Sequence, residues 1–375
     1  MRSLHNILAL SAKELRSLLG DTVLLVLIVF AFTGLVCSAA TGVSRDVHNA
    51  PVGVVDLDQS PLSRQMVAAL QPPHFQKPVP VQREEVDALM DKGQMLFVIE
   101  FPPHFQRDVE LGRAPQVQLL ADATTIAQAG QGQVYIGRIF QNEIVDFLQK
   151  KRLIESLTPV RPVIKLQFNP NGNDVWPMAI MEVDNMIAMI TLVLVGAAVI
   201  RERERGTIEH LLVMPVGAFE IVLAKILANG LVICTVALLS MRFMVGGLLG
   251  VPLAGSLGLF ALGAAVFMFA MAALAIMLAT LAPTMPQYSL LMMPVYIIAL
   301  MFSGSSSPRS NMPAAAQWIS EYWPTTQFVS LAQSVLLRGA GIDVVWPQLA
   351  VMAATGLLFL GYALFRFRKM LEQQG

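Results

Sequence analysis

The 375 residues are 55% hydrophobic and only 14% charged, with 26 basic residues balancing 26 acidic ones and a mean hydropathy of +0.60. So apolar a chain of this length is not an ordinary water-soluble globule, and without net charge, a basic tail or a basic patch interleaved with aromatics it offers nothing to hold nucleic acid. The two cysteines, Cys37 and Cys234, both lie in apolar runs, which excludes a disulfide framework and a Cys/His zinc set.

Residues 1–21 come first. Leu4, Ile7, Leu8, Leu15, Leu18 and Leu19 recur at helical spacing, interrupted by Arg2, Lys13, Glu14 and Arg16. That pattern describes an amphipathic helix lying on the cytoplasmic membrane surface. A hydrocarbon core is crossed by about 20 apolar residues in a helix, and six segments qualify: 22–40, 180–200, 219–241, 257–281, 287–303 and 347–365. The first reads as a retained anchor. Its long amphipathic lead-in is unlike a cleaved signal, and Val36 before Cys37 spoils a lipoprotein cleavage site.

Residues 41–177 change texture and read as one exported α/β domain with a single core. Pro51-Val52-Gly53-Val54-Val55-Asp56 has the composition of a buried strand, Ser60 and Pro61 open a helix over 62–70, and 84–92, 103–111 and 124–150 are helical. Residues 95–101, 115–121 and 163–168 are expected to be extended. Asp56-Leu57-Asp58-Gln59-Ser60 superficially looks like the paired aspartates of haloacid-dehalogenase phosphatases. The better reading is a strand-to-helix turn in which Asp58 and Ser60 satisfy backbone groups.

The second span begins with Glu182 and Asp184 and runs into the densest charge cluster of the chain: Arg201, Glu202, Arg203, Glu204 and Arg205. Gly206 then breaks the run, Thr207 is placed to cap a short helix, and Pro215 ends it. In that helix Ile208, Leu211 and Leu212 form one apolar face, while Glu209 and His210 point elsewhere. Barely two turns long, it is unstable alone and has to pack on the membrane domain, on a partner, or on both. The plainer alternative is a stop-transfer cluster followed by an ordinary turn.

Arg242 closes the third span. At about 1.5 Å per residue Asp184 lies about 24 Å from Ile200 and Arg242 about 33 Å from Glu220, so both sit towards the outer boundary. Glu182, Asp184 and Arg242 are therefore expected either to be interfacial, with Arg242 pairing to an acid, or to line an outer vestibule.

After the fifth span, 304–346 is expected to be an exported loop, with Trp318, Tyr322 and Trp323 suited to an interfacial seat. The tail 366–375 carries Arg366, Arg368 and Lys369. With six spans, these residues fall on the same side as Arg2, Lys13, Arg16 and the three arginines of 201–205, which places both termini in the cytoplasm. Catalytic signatures are missing: there is no phosphate loop, no H-E-x-x-H and no G-x-S-x-G, and the five histidines stand singly.

Taken end to end, the chain resembles the permease subunit of an ABC-2-type exporter, in the branch with a large ectodomain between the first two spans. The matching residues are Lys13-Glu14-Leu15-Arg16, Val54 to Ser63, Phe101-Pro102-Pro103-His104-Phe105, Gly112-Arg113-Ala114-Pro115 and, most specifically, Arg201 to Pro215. Ser303-Gly304, Met312-Pro313, Pro324 to Phe328 and Arg338-Gly339 resemble its last exported loop. The resemblance implies a polytopic α-helical membrane protein of six transmembrane helices, with segment 178–365 holding the last five. It also implies two permease copies, the same or related, around a central path in the bacterial inner membrane. A separate ATPase subunit using ATP and Mg2+ would dock on the coupling segment 201–216, and the chain itself would carry no cofactor. Membrane lipid and a periplasmic adaptor are further expected partners. The rival reading is a membrane-anchored ligand-binding or sensor protein without transport.

Overall fold

A computed structural model describes residues 2–42, 47, 49–122, 126–151, 168–169, 173–204, 217–304, 309 and 312–374. In chain order the elements are α1 (Arg2–Leu19), α2 (Thr22–Gly42), β1 (Val52–Asp56), α3 (Pro61–Ala68), β2 (Val79–Pro80), α4 (Val86–Asp91), β3 (Phe97–Phe101), α5 (Phe105–Glu110), β4 (Gln118–Ala121) and α6 (Ile126–Lys150). They continue with α7 (Val175–Glu204), α8 (Ala218–Leu248), α9 (Leu257–Leu281), α10 (Met285–Phe302), α11 (Ala314–Glu321), α12 (Pro324–Leu336) and α13 (Ile342–Gln374). The chain divides into two compact units, Met1–Val43 with Leu166–Gly375 and Ser44–Lys165.

In the helical unit, α2, α7, α8, α9, α10 and the stretch Ile342–Arg366 of α13 are long and apolar enough to cross a membrane. Leu290, Leu358 and Phe365 stand exposed on its outside, a surface that a water-soluble bundle would bury but lipid accepts. α7 is the enclosed helix: apolar all round, it is covered from Ala179 to Ile200 on most faces. Small residues let its neighbours come close. Tyr288 of α10 crosses α7 at Gly196, where an added Cβ would lie 2.0 Å from the tyrosine ring, and its hydroxyl donates to the Leu192 carbonyl at 2.6 Å.

Two helical spans wind locally into π geometry, α2 at Ala31–Leu35 and α8 at Ser240–Leu248. The two stretches touch, and the Ser240 hydroxyl donates to the Phe32 carbonyl. Widened turns leave carbonyls short of a partner, and here a side chain from the neighbouring helix supplies one.

Among the described residues, the expected loop 304–346 contains α11, α12 and the start of α13. α12 is buried on nearly every face: Phe328 stacks on Phe267 at 4.3 Å, while Thr325 and Thr326 donate to the carbonyls of Ala299 and Phe302, each at 3.1 Å. Its Thr-Thr-Gln-Phe opening reads as polar loop, yet those hydroxyls satisfy the last carbonyls of α10. Of the three aromatics assigned to the interface, Trp318 and Tyr322 are 71% and 54% exposed, whereas Trp323 packs against Phe359 of α13.

The second unit is α/β. Its sheet has the order β2-β1-β3-β4, with the first three strands parallel and β4 antiparallel to β3. Val52 and Val54 point to the face covered by α3 and α6, and Val55 to the face covered by α4. Ser60 caps α3 by accepting from the Ser63 N–H at 3.1 Å, with Pro61 in the first turn. Asp56 accepts from the N–H groups of Asp58 and Gln59 and from the Ser63 hydroxyl, so it closes the strand-to-helix turn. Asp58 instead accepts from the Gln106 N–H at 3.0 Å, in the first turn of α5. Asp58 is thus spent on backbone, and Asp56 on backbone and the Ser63 hydroxyl. The short strand β2 has no counterpart among the sequence expectations, and the strand expected at 163–168 lies outside the described residues except for Phe168.

Gly196→Leu should lower the melting temperature of the purified protein, as overpacking costs about 1–3 kcal/mol. Adding Tyr288→Ala should recover part of the loss. Recovery failing to appear would mean that the α7–α10 contact does not set the penalty.

Candidate functional site

The charge cluster at the end of α7 is described as far as Glu204. Arg205, Gly206, Thr207, Ile208, Glu209, His210, Leu211 and Leu212 lie outside the described residues, as does the helix expected to start at Thr207. What the four described members do is well defined. Arg201 Nε donates to the Ala197 carbonyl of its own helix at 3.3 Å. The other three reach across to neighbours.

Arg203 and Glu204 hold the turn between α9 and α10 from both sides. Arg203 Nη1 donates to the carbonyl of Ala282, the C-cap of α9, at 3.3 Å, and Glu204 Oε1 accepts from the N–H of Met285, the first residue of α10, at 2.9 Å. A cation at a helix C-terminus and an anion at an N-terminus both complement the peptide dipoles. Thr284, the N-cap residue of α10, makes no capping bond with its side chain, so Glu204 caps that helix from another element.

Glu202 joins a buried ion triad. Lys225 of α8 has a side chain only 3% exposed, and its ammonium lies 2.9 Å from Glu14 of α1 and 3.0 Å from Glu202. An ammonium taken from water among apolar helices is tolerable only when acids and hydrogen bonds replace its hydration. The two glutamates do so while staying 19% exposed themselves. Lys225 is the only Asp, Glu, Lys, Arg or His between 221 and 241, and an isolated charge in a span is the signal by which the sequence could have revealed it.

The same contact fixes α1. Asn6 donates to Glu220 at 3.1 Å and the Ser11 hydroxyl to the Ala224 carbonyl at 3.3 Å, so α1 runs alongside the start of α8 in the same direction. Ile7 and Leu18 are buried, whereas Leu4, Leu8 and Leu19 remain exposed. The apolar residues read as one stripe therefore serve two surfaces, one against the protein and one left open. Between α1, α7 and α8 lies a polar cavity of about 300 Å³ bordered by Lys13, Glu14, Arg201, Glu202 and Lys225.

The other candidate group does not assemble as expected. Asp184 is 2% exposed, and neither of its carboxyl oxygens has a hydrogen-bond partner. It turns inward beside Phe267, Tyr296 and Thr325, next to a cavity of about 10 Å³, room for about one water. Glu182 accepts from Asn185 at 3.3 Å. Arg242, in the π-helical part of α8, is exposed and among the described residues forms no ion pair with either acid. The expected pairing is therefore corrected: the side chains face opposite ways, one into the bundle and one out of it.

Comparisons with known proteins follow the helical unit and the α/β unit alike. Residues 16–365 match a family described as "ABC-2 family transporter protein". The chain is 46% identical over 370 residues to "Inner membrane transport permease YhhJ" of Escherichia coli (strain K12), covering 98% of both chains. It is 26% identical over 385 residues to "Probable multidrug ABC transporter permease YbhR" of the same strain, covering 98% of this chain and 100% of that one.

Lys225→Met would leave Glu14 and Glu202 without their shared cation. It should destabilise the purified protein by about 3 kcal/mol, the low end for a broken buried pair because both acids keep some solvent contact. Asp184→Asn removes no observed partner and should leave the melting temperature close to that of the parent. An unchanged Lys225→Met transition would refute the structural weight given to the triad.

Proposed function

This chain belongs to the ABC-2 family of transporters and is a multi-pass inner-membrane transport permease; from that premise we propose that it is the permease subunit of an ATP-driven exporter. In this reading two copies of the chain enclose the translocation path, and ATP and Mg2+ act in a separate ATPase subunit. Both termini are cytoplasmic, and residues 41–177 form a periplasmic α/β domain, open to an adaptor protein. Segment 201–212, from Arg201 to Leu212, is the docking site for the ATPase. Membrane lipid seats the exposed Leu4, Leu8 and Leu19 of α1.

The observation that carries the coupling assignment is the set of bonds at the end of α7. Glu202, Arg203 and Glu204 tie the start of the docking segment to α8, α1 and the α9–α10 turn. A displacement of that segment would be delivered to several helices at once rather than absorbed in one flexible loop. Export is favoured by the family, and efflux of drug-like compounds by the printed name of YbhR, which calls that relative a multidrug permease.

Inverted membrane vesicles carrying the protein and a co-expressed candidate ATPase provide the test. Uptake into the vesicles on addition of ATP is the expected result, since it corresponds to export from the cell. Glu209→Arg combined with Leu212→Asp should abolish both co-purification of the ATPase and ATP-driven uptake. Retention of both would overturn the docking assignment, and ATP-driven loss of preloaded compound from the vesicles would overturn the direction.

A further inference from the structure

The α/β unit contains a cavity of about 800 Å³ that neither the coupling site nor the proposed transport path uses. It exists because of how the sheet ends. β2 is two residues long, Val79 and Pro80, and follows Pro78, so its outer edge has few N–H groups to offer another strand. So short an edge also leaves α3 overhanging uncovered space. The accessible floor is apolar, built from Val67 and Ala68 of α3, Pro80 of β2 and Val81 just beyond it. Val54 and Leu70 also border it but are core residues that present little surface to it.

The rim is charged and unevenly compensated. Asp56 reaches the cavity, but its oxygens already accept from two backbone N–H groups and the Ser63 hydroxyl. Arg64 donates to the Gln59 carbonyl at 2.7 Å, a neutral acceptor, and forms no ion pair among the described residues. Lys77 forms no ion pair among the described residues. Two cations and one acid, Asp56, whose oxygens are already hydrogen-bonded, thus border an apolar floor and leave the rim net positive, in a space within the range of about 300–1,000 Å³ typical of small-molecule sites.

We propose that this cavity binds an amphipathic organic anion, with the apolar tail against Val67, Ala68, Pro80 and Val81 and the acidic head at Arg64 and Lys77. The volume selects one drug-sized molecule rather than a protein segment, and proline at the edge disfavours strand addition. Tail burial supplies affinity, and the guanidinium and ammonium supply the sign of charge. The assignment is independent of the direction of transport and of which side of the membrane the unit faces.

Hydrogen–deuterium exchange on the full-length protein in lipid nanodiscs tests it, with octanesulfonate and octyltrimethylammonium as probes of equal tail and opposite charge. Octanesulfonate should slow exchange several-fold in peptides spanning 62–81, and octyltrimethylammonium should not. Arg64→Glu with Lys77→Glu should reverse that preference. Ala68→Trp, which fills the cavity from the exposed side of α3, should remove the response while exchange in β1 and β3 stays unchanged. Equal protection by both probes, protection by neither, or an unaltered preference in the double variant would overturn the proposal.

Discussion

A single buried ammonium organises the charged end of the helical unit. Lys225 sits two turns into an apolar helix, where an unpaired charge would be prohibitive, and the fold answers with one carboxylate from α1 and one from α7. The consecutive helices α7 and α8 and the sequence-distant α1 are thereby fixed in register at one point. Hydrophobic packing among lipid-facing helices is non-directional and would not by itself choose that register. The ion triad does.

Around this point the remaining charges complete the backbone. Arg203 and Glu204 each meet a helix end that its own sequence leaves open, the C-terminus of α9 and the N-terminus of α10. The cluster that interrupts two apolar runs is therefore occupied inward as well as available outward. A stop-transfer signal requires only positive charge near the membrane. The alternation of acid and base in Arg201-Glu202-Arg203-Glu204 is explained by the contacts, since the acids and one arginine have different partners on different helices.

The sequence made much of this legible because its strongest signals are long. All six membrane-length helices among the described residues overlap the apolar runs that predict them, extending furthest beyond them at Leu248, where π-helical residues continue the helix. In the α/β unit Ser60-Pro61 marks the start of α3 as expected. Three features were hidden for physical reasons. α12 is short, and its threonines and glutamine read as loop until their carbonyl partners are known. β2 is two residues flanked by proline, too little for a period. Spacing along the spans sets Asp184 and Arg242 towards the same expected boundary, but position along a span carries no information about which way a side chain faces. Lys225 was visible in the sequence as a lone charge, yet its partners, Glu14 and Glu202, lie 211 and 23 positions away.

The proposed coupling requires α1, α7 and α8 to travel as one body when an ATPase pulls on the segment that follows Glu204. Spin labels at Ala12 of α1 and Leu227 of α8, in a chain whose Cys37 and Cys234 have been replaced, give the distance between these helices by pulsed electron paramagnetic resonance. Measured in the complex with its ATPase, the distance distribution should be the same without nucleotide and with ATP trapped, while transport remains active. A nucleotide-dependent separation of the two labels would contradict the account, because the triad would then be a contact broken in the cycle rather than the joint through which it is transmitted.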